Sequence, residues 1–179
     1  MENSLYQTGK PKHDARADVG RFTGIFETLM KEHREAVELL ERVARSGDPK
    51  ERERLWPKLR NALLAHEHTE VDVLYPLLRE HVETREIAQR HDAEARDLEM
   101  LIERLDNRAF DHDEWQASAA TLLQLLDHHV REEETEFFPR AKALLGPERV
   151  AELNDAYRKQ KAEWSARSTR GQDSFRVVV

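Results

Sequence analysis

The sequence predicts an all-α fold, an up-down-up-down antiparallel four-helix bundle with a short extra C-terminal helix, on three observations. Of 179 residues, 36% are charged and 39% apolar, with only 6 Gly and 6 Pro, which suits long solvated helices better than turn-rich β structure. Apolar residues recur at helical spacing in four long stretches joined by short polar or Gly/Pro segments. The second and fourth stretches also repeat one pattern at an offset of 63 residues: His66, Glu70 and Tyr75-Pro76, then His129, Glu133 and Phe138-Pro139. The chain therefore reads as a duplicated helical hairpin.

Residues 1–20 show no apolar period and are expected to be mobile. From Phe22 to Arg45, the residues Phe26, Leu29, Met30, Val37, Leu40 and Val43 mark the first helix. Ser46-Gly47-Asp48-Pro49 stops it and starts the next, with Asp48 as N-cap and Pro49 at the first helical position. The second helix is expected to reach about Val82. Pro57 should break its first turns and Pro76 should kink it near its end, since each removes a backbone donor. Ile87, Leu98, Leu101, Ile102 and Leu105 mark a third helix over about Thr84 to Leu105. After a polar connection, a fourth runs from about Glu114 to Leu145 with Leu122, Leu125, Leu126, Phe137 and Leu144. Gly146-Pro147 closes it. The bundle is thus assigned to residues 21–146, a short fifth helix with Val150, Leu153 and Tyr157 on one face to 147–164, and an extended tail to 165–179.

Composition excludes several functions. The formal charge is −7 and Lys and Arg are interleaved with Asp and Glu, so no basic face offers itself to nucleic acid. No stretch approaches the ~18 apolar residues of a membrane span, and the polar N-terminus lacks the apolar segment of a signal peptide. Cysteine is absent, which removes disulfides, thiolate metal sites and thiol nucleophiles and fits a cytoplasmic protein. Trp115 and Trp164 are expected at the surface, where they could mark a self-association face.

The histidines carry the chemistry. His33, His66, His91 and His129 each fall at a position where the seam of its helix calls for an apolar side chain. Glu70 and Glu133 join the second and fourth of these on one helix face, four residues on. A lone seam histidine is more often a hydrogen-bonded core residue, and a lone His-x-x-x-Glu says little. The joint pattern is different, because four imidazoles and two carboxylates buried without partners would cost many kcal/mol. A metal pair compensates them. Imidazole with carboxylate suits iron, manganese or zinc, and the set is too large for one tetrahedral zinc. Glu67, Glu94 and Glu134 are candidates for an additional ligand or a proton relay. His68 and His128 lie off the seam, His81 lies too far along its helix, and His13 and His112 belong to a tail and a loop.

These motifs, KEH33REAVELL, LLAH66EHTE70VDVLYP, RH91DAEARDL and DHH129VREE133ETEFFP, resemble the hemerythrin-like HHE cation-binding domain family over about residues 22–145. The resemblance implies two iron ions with an oxo or hydroxo bridge, carried by Glu70 and Glu133 as bridges and by His33, His66, His91 and His129 as terminal ligands. Manganese or zinc would be lesser occupants. The chain departs from oxygen-carrying members at Ala95, where those have a further histidine, and at Glu134, where they have aspartate. Plain reversible oxygen carriage is correspondingly disfavoured. The resemblance implies instead a centre that binds or reacts with O2, peroxide or NO, with peroxide decomposition as the enzymatic reading. The alternative is an O2/NO-sensing or iron-binding module without turnover.

Overall fold

The computed structural model describes residues 22–168. The expectations for residues 1–20, for His13, and for the tail beyond residue 168 lie outside them. Among the described residues all regular structure is helical: α1 (Ile25–Arg45), α2 (Pro49–Val73), α3 (Tyr75–Glu80), α4 (Val82–Asp106), α5 (Asp113–Glu132), a π-helical turn (Glu133–Phe137) and α6 (Phe138–Ser168). None of these helices is long and apolar enough to cross a membrane.

Local chemistry sets most of the boundaries. Asp48 caps α2 by accepting a hydrogen bond from the Lys50 N–H at 3.0 Å, with Pro49 at the first helical position. Pro57 does not break α2, contrary to the sequence expectation. It and Glu53, whose carbonyl loses its donor, are both exposed, so water can take that carbonyl. The two aromatic-proline pairs act more strongly. The Pro76 break falls at Leu74, leaving the separate short helix α3, and a further stop at His81 precedes α4. Pro139 offers no N–H to the Thr135 carbonyl, and there the backbone widens so that the Phe138 N–H donates to the Glu133 carbonyl five residues back. Both repeats thus lose regular helix within a few residues of their glutamate.

The interior is built in layers. One apolar cluster gathers Phe26 and Leu29 of α1, Tyr75 and Leu78 of α3, Ile87 of α4, and Phe137 and Phe138. The other gathers Leu40 and Val43 of α1, Leu59 of α2, Ile102 of α4, and Trp115 and Leu122 of α5. In α1, α2 and α4 the seam histidine falls between residues of the two clusters, and His129 of α5 stands at the end of the second cluster, beside Val130 and ahead of Phe137 of the first. A polar layer is therefore enclosed between two hydrocarbon layers.

Trp115 belongs to that second cluster and is fully buried, its Nε1 donating to the Leu105 carbonyl at 3.3 Å. The expectation of surface exposure is overturned because the indole closes the base of the bundle beside Trp56. Trp164 is half-buried and stacks on His68 at 5.8 Å.

The C-terminal helix is longer than expected. Gly146, with φ 69° and ψ 167°, turns the chain within α6, and the limb after it continues to Ser168. This limb lies along α1 and α2: Val150 meets Gly24, Asn154 Oδ1 accepts from Thr28 Oγ1 at 2.7 Å, Tyr157 and Lys161 reach Glu32, and Gln160 donates to Asp72 at 2.6 Å. Gly24 takes φ 61°, and a Cβ there would stand 2.7 Å from Val150 Cγ1 and 2.9 Å from its carbonyl oxygen. Gly24→Ala should therefore lift the limb at its start. We expect a loss of about 2 kcal/mol, a fall of about 4–8 °C in melting temperature by calorimetry; an unchanged midpoint would show that the contact is not tight.

Candidate metal centre

His33 of α1, His66 and Glu70 of α2, His91 of α4, His129 of α5 and Glu133 of the π turn converge in the polar layer, as does Glu67 of α2. All are buried except His66, which is partly so. They form two groups. In the first, His33 Nε2 lies 3.1 Å from His66 Nε2 and 3.1 Å from Glu133 Oε2, and His66 Nε2 lies 3.2 Å from Glu70 Oε2. In the second, Glu67 lies 3.3 Å from His91 Nε2 and 3.5 Å from His129 Nε2. Glu133 spans both, because its Oε1 is 3.0 Å from His91 Nε2 and 3.7 Å from His129 Nε2.

The spacing itself is informative. Groups bound to one ion at about 2.1 Å in neighbouring octahedral positions stand about 3 Å apart, the separation seen here. Yet Glu67 Oε1, both Glu70 oxygens, Glu133 Oε2 and the Nε2 atoms of His91 and His129 are buried without a hydrogen bond among the described residues. Leaving such atoms unpaired costs on the order of 1–3 kcal/mol each, more for charged groups. A pair of cations would satisfy them together. The donor set fits metal, and His33, His66, Glu70 and Glu133 on one side, with Glu67, His91 and His129 on the other, are grouped closely enough to hold it.

Three of the four imidazoles are held by a carboxylate on the outer nitrogen, the arrangement that orients metal-ligating histidines. Glu134 Oε1 lies 3.0 Å from His33 Nδ1, Glu32 Oε2 lies 2.9 Å from His66 Nδ1, and Glu94 Oε2 lies 3.0 Å from His129 Nδ1. Of the three supplementary glutamates, only Glu67 thus faces the centre; Glu94 and Glu134 stand behind the rings rather than among the inner donors. The fourth ring, His91, has no partner on Nδ1 among the described residues and is fixed by stacking, with Tyr75 at 3.8 Å. Tyr75 also donates to Glu133 Oε1 at 3.0 Å.

Sequence reasoning gave no role at the centre to Glu32, Tyr75, Tyr157 or Lys161. Tyr157 donates to Glu32 at 2.6 Å and stands 3.2 Å from His66 Nδ1, while Lys161 pairs with the same carboxylate. The available signals were that Glu32 adjoins His33 and that Tyr157 and Lys161 are four apart on one helix face. His68 pairs with Glu99 at 3.4 Å, and His112 caps α5. His81 caps α4. A third group, Glu94, His128 and Glu132, lies towards the surface, with Glu94 already engaged to His129.

Electrostatics in the metal-free site follow from this pairing. Burial pushes the Glu32 carboxyl up, but His66 and Lys161 outweigh it and hold it at about 2. Burial pushes His66 down, yet the hydrogen bond to Glu32 and the adjacent Glu70 carboxylate raise it to about 10. Glu67, despite burial, is lowered to about 2 by His91 and His129. Glu133 is likewise depressed against its burial, by His129, His33 and His91. Glu70 is raised by burial and by the adjacent Glu133 charge. Protons and histidine charges thus occupy the place of a cation.

No curated protein and no solved structure matches the chain. The family model described as the hemerythrin HHE cation-binding domain matches residues 24–141, more than half of the sequence, and includes every inner donor named above. On that match, with its histidines and glutamates gathered into one buried layer, the chain belongs to the hemerythrin HHE cation-binding domain family.

Proposed function

We propose that the protein holds a non-haem di-iron centre that reacts with small oxidants and decomposes hydrogen peroxide. The observation that carries this reading is the set of buried, unbonded donor atoms on Glu67, Glu70, His91, His129 and Glu133. One iron is assigned to His33, His66 and Glu70, the other to His91, His129 and Glu67, with Glu133 shared. Glu70, the other bridge that the family resemblance implies, stands 3.2 Å from His66 on the first side and would have to reach across from there. When bound, the two ions supply a Lewis acid and a store for two electrons, the number exchanged when peroxide is converted to water or to O2.

The protein's part is to hold and to exclude. Glu32, Glu94 and Glu134 fix their rings so that Nε2 points inward. The hydrocarbon layers on either side keep bulk water from the ions. Glu67 borders both the adjoining cavity and the His91–His129 pair. Ala95 is buried where oxygen carriers of the family place another imidazole, so Glu67 serves as the second group's carboxylate donor instead. The absence of cysteine accords with work in the cytoplasm.

Protein loaded with iron without oxygen should hold about two irons per chain and should evolve oxygen from peroxide faster than free iron does. His66→Ala should abolish the excess. An iron-loaded protein with no turnover above free iron, but with saturable and reversible NO or O2 binding, would instead be a binding module.

A further inference from the structure

Beside the centre lies a cavity of about 680 Å³. A diatomic gas or a peroxide needs far less, whereas sites for organic molecules occupy about 300–1,000 Å³. Its inner end is bounded by His33, His66, Glu67 and His129, two residues from each donor group. From there most of the wall is hydrocarbon, formed by Leu59, Leu63, Leu98, Ile102, Leu126 and Val130, all buried, with Glu32 and Lys161, paired to each other, and Glu99, paired to His68, also on the lining. It reaches the surface between α1 and α2, where Glu35, Arg42, Lys58 and Ala62 are exposed. Along α1 the lining extends from His33 to Arg42, about 13 Å at the helical rise and thus close to the length of an extended chain of about ten carbons.

Shape and chemistry together select a ligand. Apolar walls of this kind are poorly served by water, which needs polar partners, and a hydrocarbon chain suits them. The inner end needs an oxygen donor, which hard or borderline cations accept. We propose that this cavity binds an unbranched medium-chain monocarboxylate, with its carboxylate at the inner end facing the metals and its chain along the apolar walls. The inference rests on the di-metal reading, because Glu67, Glu70 and Glu133 would repel an anionic head from the metal-free centre. Two divalent cations outweigh those three carboxylates and make the inner end attractive. Val130 contributes as well: in the 63-residue repeat it stands where the other half has Glu67, so this wall is hydrocarbon where a second carboxylate would otherwise stand.

The test is calorimetric titration of decanoate into the full chain loaded with zinc or iron(II), with metal content measured on the same sample. One decanoate should bind per chain. Octanoate should bind about tenfold more weakly for its two missing methylenes. Metal-free protein should bind at least tenfold more weakly than the loaded form, by repulsion. Leu98→Trp, which fills the middle of the cavity, and Ala62→Trp, at its exposed mouth where folding is not at risk, should each weaken decanoate at least tenfold while metal content stays unchanged. Loaded protein that takes up no decanoate overturns this proposal and leaves the metal centre standing. So does binding that ignores both substitutions. Binding of equal strength with and without metal would place the carboxylate at the mouth and likewise overturn the assignment. Failure to load metal at all removes the proposed function, and this inference with it.

Discussion

Glu133→Ala is expected to empty both halves of the centre at once. Among the described residues Glu133 is the one side chain whose two oxygens stand against different groups, Oε2 at 3.1 Å from His33 and Oε1 at 3.0 Å from His91. Deleting it removes a donor from each ion and leaves four imidazoles facing one another with less negative charge to offset two cations. Even changes behind the ligands commonly cost about 10–100-fold in metal affinity, so loss of a shared ligand should exceed about a hundredfold. Glu67→Ala provides the contrast. It touches only His91 and His129, so one ion should go and the other stay. Metal per chain after anaerobic iron loading and desalting decides the matter: near zero for Glu133→Ala, about half the wild-type value for Glu67→Ala. A Glu133→Ala protein that retains its full metal content would refute the bridging assignment.

The difference between these two variants bears on what the sequence could and could not reveal. The four seam histidines and the two i+4 glutamates were legible because helical periodicity puts each on the buried face of its own helix. Convergence of the four seams then follows from packing those faces together. The repeat, however, suggests two equal halves, and the centre is not symmetric. Glu67 corresponds to Val130, Glu134 to Val71 and Tyr75 to Phe138. Consequently one half gains an inner carboxylate, and one first-in-repeat histidine, His33, gains a carboxylate on its outer nitrogen while its counterpart His91 stacks on a tyrosine. Phe138 stacks on His33 at 5.8 Å in the matching place. Which of two adjacent glutamates faces inward was ambiguous in the sequence, since Glu133 and Glu134 are separated by only about 100° around a helix. The backbone settles it locally, because Pro139 forces the wide turn that begins at Glu133. The C-terminal limb was hidden for another reason. Its Tyr157 and Lys161 act through Glu32, and contacts across more than a hundred residues leave no periodic trace.

That limb makes the pH dependence of metal binding predictable. In the metal-free protein His66 is raised from 6.5 to about 10 and Glu32 is lowered from 4.5 to about 2. A raised histidine stabilises the fold fully below its unfolded value of 6.5 and ceases to as pH climbs through about 10. A depressed carboxylate stabilises it fully above its unfolded value of 4.5 and ceases to as pH falls through about 2. Both contributions are complete only between pH 4.5 and 6.5, so this pair favours the metal-free fold most in that window. Metal requires the neutral ring and must displace its proton. Below about pH 10 the His66 proton should therefore oppose binding by up to about tenfold per pH unit. Calorimetry at pH 7 in buffers of different ionisation enthalpy should register proton release on loading. Since structural metal sites contribute about 10–16 kcal/mol in favourable cases, even half of that should raise the melting temperature by at least about 10 °C. The gap between loaded and metal-free midpoints should widen from pH 6 towards pH 9. Glu32→Gln should shift that rise to lower pH, because the hydrogen bond and charge of Glu32 hold the His66 proton in place. A gap independent of pH, or identical in Glu32→Gln, would mean that the outer carboxylate orients the ring without governing its proton.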